Sequence, residues 1–146
     1  MDKIKLFDQE FDVDEIDYIG IRKVSLFKPE YSIVVGYNSN EINMEKTKTA
    51  DELMVLSLLQ ITKERLNKYN NFISIDKYSP LINIYRAKDV ELKKCEYVNK
   101  NYLKITLRNG HVYLTKQEPF SDKGLNKWQY YYNVYWSRRN DHACAK

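Results

Sequence analysis

Only one stretch of this sequence, TADELMVLSLLQITKERLNKYN (49–70), repeats its apolar residues at helical spacing, and most of the remainder alternates with period two. A chain patterned this way builds sheet and has one long helix with which to cover it. The expected fold is therefore α+β: a single globular domain over 1–146, with a twisted, mostly antiparallel sheet and one helix near 50–69 packed on one face. Thr49 is placed to cap that helix, and Glu52 three residues later completes a capping box. Leu53, Leu56, Leu59, Leu66 and Tyr69 form the stripe expected to face the sheet, thickened at first by Val55, Leu58 and Ile61. Lys63, Glu64, Arg65 and Lys68 mark the expected solvent face.

Tyr18 to Phe27 and Tyr31 to Tyr37 read as a hairpin turning at KPE, where Pro29 presets the turn dihedral. KIKLFDQEFDV reads as a shorter hairpin before it, while Ile82–Tyr85 and Val90–Tyr97 are weaker strands. The strongest turn signal is Asn109-Gly110 within NYLKITLRNGHVYLTK. A two-residue type I′ turn there pairs Leu107 with Val112 and Ile105 with Leu114 on an apolar face. The opposite face then carries Lys104, Thr106, Arg108, His111, Tyr113 and Thr115.

The stretch WQYYYNVYWSRR (128–139) also separates by parity. As a strand it sends Trp128, Tyr130, Tyr132, Val134 and Trp136 to the core, and Gln129, Tyr131, Asn133, Tyr135 and Ser137 to the other side. Laid beside the Asn109 hairpin, it gathers Tyr131, Tyr135, Arg138, Arg139, Tyr113, Arg108 and Lys104 onto one basic, tyrosine-rich sheet face. Aromatic rings interleaved with cations suit a protein interface or stacked bases. These seven are the candidate binding residues, and 140–146 is expected to fray as a tail.

Charge is unevenly placed. Residues 1–45 hold ten acidic and five basic residues, whereas 46–146 hold nineteen basic and ten acidic. Such an asymmetry steers a charged partner. The leading segment MDKIKLFDQEFD has no apolar run of signal-peptide length, and no stretch reaches about eighteen apolar residues, so a membrane span is not expected. Cys95 and Cys144 lie far apart and read as free thiols, pointing to a cytoplasmic protein. The abundance of Lys, Asn, Tyr and Ile beside four Gly and four Ala follows AT-rich codons, as in a low-GC bacterium, its phage or a mobile element.

Catalytic and metal motifs are weak. Cys95, His111, His142 and Cys144 do not follow zinc-ligand spacing, and the acidic run Glu10, Asp12, Asp14, Glu15, Asp17 has Asp17 where a calcium loop needs glycine. No metal or cofactor is implied. Asp76 followed by Glu91-Leu92-Lys93 matches the spacing of the PD-(D/E)xK nucleases. That resemblance implies two carboxylates on Mg²⁺ and a water-positioning lysine, but the helix it implies after the lysine is replaced by strand and turn signals. FDVDEIDYIG with LKITLRNG resembles LytTR-type DNA-binding domains, without a counterpart of their basic recognition segment at NNFISIDKYSPLIN. The sequence thus reads as a non-catalytic binding protein, an inhibitor or regulator of a protein partner that itself handles nucleic acid. Direct nucleic-acid binding is the alternative, and a Mg²⁺-dependent nuclease using Asp76, Glu91 and Lys93 ranks third.

Overall fold

A computed structural model describes residues 2–25, 27–69, 71–74, 80–120 and 126–144, the last five of these through their backbone alone. The chain is mixed α+β with antiparallel sheets, as expected, but the described residues carry two α-helices rather than one. Its internal contacts divide it into two compact units, Met1–Arg86 and Ala87–Lys146.

The first unit opens with the short hairpin read from KIKLFDQEFDV. Strands β1 (Lys3–Leu6) and β2 (Gln9–Asp12) pair across a turn in which both Phe7 and Asp8 are left-handed, at φ 51° and 68°. Strands β3 (Ile16–Val24) and β4 (Glu30–Tyr37) form the hairpin expected around Pro29. β5 (Asn40–Thr49) extends it through a second left-handed pair, Asn38-Ser39. Sequence reading missed β5, because NEINMEKTKT is polar and lies at a sheet edge where only some side chains turn inward. Where a bulge interrupts its ladder with β4, the Thr47 hydroxyl accepts the Ile33 N–H at 2.7 Å and donates to the Met44 carbonyl at 2.6 Å. Two short strands, β6 (Phe72–Ser74) and β7 (Leu81–Asn83), complete the sheet in the order β5-β4-β3-β7-β6.

Helix α1 (Glu52–Leu66) packs on β3, β4 and β5. Its cap is Asp51, not Thr49: the Asp51 carboxylate accepts the N–H groups of Leu53 and Met54 at 3.0 and 3.3 Å. The buried stripe also differs from the expected one. Val55, Leu59, Thr62, Lys63 and Leu66 are buried, whereas Leu53, expected in the core, is exposed. Lys63, expected in solvent, donates to the Ser74 hydroxyl at 3.0 Å. Ile16, Ile19, Ile33 and Val35 from the sheet meet Val55, Leu59 and Leu66 in the core, each burial contributing about 1.5–3 kcal/mol. The acidic run is partly absorbed into this fold. Arg86 binds Asp17 at 2.6 Å and Glu15 at 3.1 Å, while Asp12 accepts the Asp14 N–H at the start of a 3-10 turn.

In the second unit β9 (Lys100–Thr106) is central. β8 (Asp89–Lys94) pairs along one side, and β10 (Val112–Leu114) and β11 (Glu118–Pro119) share the other. The turn at Asn109-Gly110 is present with a different geometry. Leu107 pairs with His111, so three residues form the loop instead of two, and only Gly110 is left-handed, at φ 92°. The Gly110 N–H donates to the Leu107 carbonyl at 3.0 Å, and the Asn109 side chain accepts the His111 N–H at 2.9 Å. That Asx contact holds Asn109 in the second position of an ordinary turn and leaves the left-handed step to Gly110. Val112 consequently pairs with Thr106, Tyr113 with Ile105, and Leu114 with Lys104, one residue out of the expected register. A one-residue slip exchanges faces. No neighbouring atom lies within 4 Å of a β-carbon built on Gly110, so the cost of a side chain there is torsional. Gly110→Val should lower stability by ~1–2 kcal/mol and Gly110→Asn by less, as read from urea unfolding midpoints.

The aromatic run is not a strand. Residues Lys127–Cys144 form helix α2, started by Asn126, whose side chain accepts the Gln129 N–H at 3.1 Å and whose carbonyl accepts that of Tyr130. Trp128 and Tyr135, seven residues apart, are both 2% exposed, while Tyr130 is 60% exposed. A dense aromatic run satisfies periods of two and 3.6 at once, and the strand propensity of aromatics spans only about 1 kcal/mol, less than packing on a sheet supplies. None of the described helices is long and apolar enough to cross a membrane.

Candidate binding surface on the second unit

The seven residues expected to share one face are distributed by the helix and by the register slip. Tyr135 lies in the core, where its hydroxyl donates to the Ala87 carbonyl at 2.9 Å. Arg139 donates to the Lys88 carbonyl at 2.6 Å and to the Tyr135 hydroxyl, with its guanidinium 5.7 Å from the ring centres of both Tyr135 and Trp136. Trp136 donates its indole N–H to the Val90 carbonyl at 3.1 Å. These three side chains therefore bind main chain at and before β8. Tyr131 is half-buried between Trp128 and Tyr130, with ring centres at 6.1 and 5.6 Å. Arg138 is exposed. Tyr113 shares the side of the sheet that carries Ile105, towards α2, and Arg108 lies exposed in the turn. Lys104 sits on the opposite side, across β9 from Glu91.

Burial raises the Tyr135 hydroxyl above its ordinary pKa of 10.0, outweighing the nearby Arg139, which acts to lower it. The folded protein then keeps a proton that the unfolded chain releases above about pH 10, so stability falls as pH rises through that range. Tyr135→Phe should flatten this alkaline decline, measured as the urea midpoint between about pH 9 and pH 11. At neutral pH the same variant should cost ~1–2 kcal/mol by leaving the Ala87 carbonyl unmet.

Sequence reading missed the other side of the sheet. The shifted register turns Val112 and Leu114 outward, 49% and 56% exposed, into a row with Lys104, Thr106 and Lys116. The signal was the length of the loop. Arg108-Asn109-Gly110 fits a three-residue turn as well as Asn109-Gly110 fits a two-residue one, and the two registers give opposite faces. Beside β10 this outer face carries Lys104 and Lys116, with Arg108 in the adjoining turn and no acidic residue in the sequence between Tyr97 and Gln117.

Of the nuclease spacing, Glu91 and Lys93 are described, and they form an ion pair at 3.4 Å on the outer face of β8. Asp76 lies outside the described residues. Among those described, no three His, Cys, Asp or Glu side chains group closely enough to hold a metal ion. Comparison with known proteins returned no matching family model, no matching curated protein and no matching solved structure.

Proposed function

We propose that this chain is a non-catalytic binding protein that engages a protein partner through the outer face of the second unit's sheet. The supporting observation is the pair Val112 and Leu114, exposed side by side on an edge strand and set in a basic surround. Apolar side chains framed by cations are what a protein interface desolvates profitably, whereas base stacking needs open rings. The rings read as a stacking face are dispersed: Tyr135 is buried, Tyr131 is half-buried against Trp128 and Tyr130, and Tyr113 lies on the opposite side of the sheet with Ile105. The composition suits an inhibitor or regulator carried by a phage or mobile element.

Direct nucleic-acid binding is the second reading, supported by the twelve basic and six acidic residues of Ala87–Lys146. Cross-linking of the full chain in cell lysate, with mass spectrometry, tests the first reading. One protein should be joined through Lys100, Lys104 or Lys116. A gel shift over a salt series tests the second, because phosphate binding weakens steeply with salt. Micromolar nucleic-acid affinity with a steep salt slope and no protein cross-link at these lysines would replace the first reading by the second.

A further inference from the structure

We infer that β10 is a docking edge that accepts an extended, acidic segment of a partner protein as an added antiparallel or parallel strand; this rests on the protein-binding reading above. Three observations converge on it.

The first is main-chain geometry. His111 and Thr115 bond to β9 through the Leu107 N–H and the Leu103 carbonyl, so the alternation of an antiparallel ladder places Tyr113 in the same bonded set. The N–H and carbonyl groups of Val112 and Leu114 therefore point away from β9. Among the described residues β10 pairs with β9 alone, leaving four main-chain groups in line along an open edge.

The second is the contrast with the opposite edge of the same sheet. The Val90 carbonyl of β8 takes the Trp136 indole N–H, and just before the strand the Ala87 and Lys88 carbonyls take Tyr135 and Arg139. Side chains of α2 thus cap the start of that edge. No corresponding side-chain donor meets Val112 or Leu114 among the described residues, and both side chains stand exposed there.

The third is charge. Lys116 and Lys104 lie on the outer face beside Leu114, Lys104 with Glu91 of β8 on its far side, and Arg108 marks the turn end, with no carboxylate in the sequence from Tyr97 to Gln117. A strand laid along β10 places alternate side chains against Val112, Leu114 and Lys116. Glutamate or aspartate at those positions complements the lysines, and apolar neighbours extend the Val112–Leu114 row. Strand addition of this kind draws affinity from main-chain bonds and selectivity from alternate side chains.

The test is a fluorescein-labelled decapeptide of alternating valine and glutamate, titrated into the full chain by anisotropy at about 50 mM salt. It should bind in the micromolar range and slow hydrogen exchange at the Val112 and Leu114 amides. Three changes should each weaken it by roughly tenfold or more: N-methylation of its valines, replacement of its glutamates by lysine, and Leu114→Pro in the protein. Leu114→Pro removes an outward N–H and leaves the β9 ladder intact; if it fails to fold, Leu114→Asp repels the peptide from an exposed site. The inference is overturned by no binding at about 1 mM peptide, by equal binding of the N-methylated or lysine peptide, or by a stable dimer of this chain that protects the same amides. Lysine cross-links to one protein that survive Leu114→Pro unchanged overturn the edge while leaving the protein-binding reading intact. Loss of those cross-links in the wild-type chain removes that reading itself.

Discussion

Trp128→Ala should lower the stability of the second unit by ~3–5 kcal/mol, while Tyr130→Ala should change it by less than ~0.5 kcal/mol. The Trp128 side chain is buried, and its indole N–H donates to the Lys116 carbonyl at 2.7 Å, so truncation empties a large site and strands a carbonyl. Lys127 also stacks over its ring at 4.6 Å. Tyr130 stands on the far side of the same helix turn, touching Tyr131 and otherwise open to water. In a strand, residues two apart share a face and both substitutions would be costly. Because the chain divides into two compact units, hydrogen exchange at the β8 and β9 amides is the appropriate readout. Equal losses from the two variants would restore the strand assignment and remove α2.

Gly36→Ala should cost the first unit ~2–3 kcal/mol. The Tyr18 ring lies flat over Gly36, so an added methyl would overlap Cδ1 and Cε1 and sit 2.9 Å from Cζ. The ring has little freedom to yield, because Tyr18 is buried and its hydroxyl donates to Glu41 at 2.7 Å. Tyr18→Ala should be destabilising alone by ~3 kcal/mol, yet in that background Gly36→Ala should cost less than ~1 kcal/mol. A thermal or urea double-mutant cycle checks this. Additive losses would mean that the glycine is needed for its backbone rather than for the ring above it.

What was legible in the sequence followed from local chemistry with one solution. Pro29 punctuates the hairpin of β3 and β4, whose β-branched and aromatic residues mark both strands. α1 was legible as an element but not in its facing, because apolar residues run around most of its first half and leave more than one stripe able to face the sheet. The site depended on two further ambiguities. Asn109-Gly110 supports loops of two or three residues, and the three-residue form sends Val112 and Leu114 outward. The aromatic run fits both periods, and only the sheet face it covers decides between them, a contact that no local window contains. Tyr135 therefore moved from candidate ligand contact to core, although its spacing of seven from Trp128 was visible throughout.

The capping of the Ala87, Lys88 and Val90 carbonyls by Tyr135, Arg139 and Trp136 has a consequence in time. All three follow every strand of their unit in chain order, so a ribosome makes β8, β9 and β10 well before it makes the groups that cover β8. At roughly 5–20 residues per second, the delay from Leu114 to Arg139 is on the order of seconds, far longer than the microseconds in which a hairpin closes. During that interval the nascent sheet is open along both margins and lacks its apolar cover. Slow translation between Leu114 and Tyr135 should then favour chain-to-chain association on polysomes, and it is the arrival of the helix, more than the strength of the sheet, that ends the hazard.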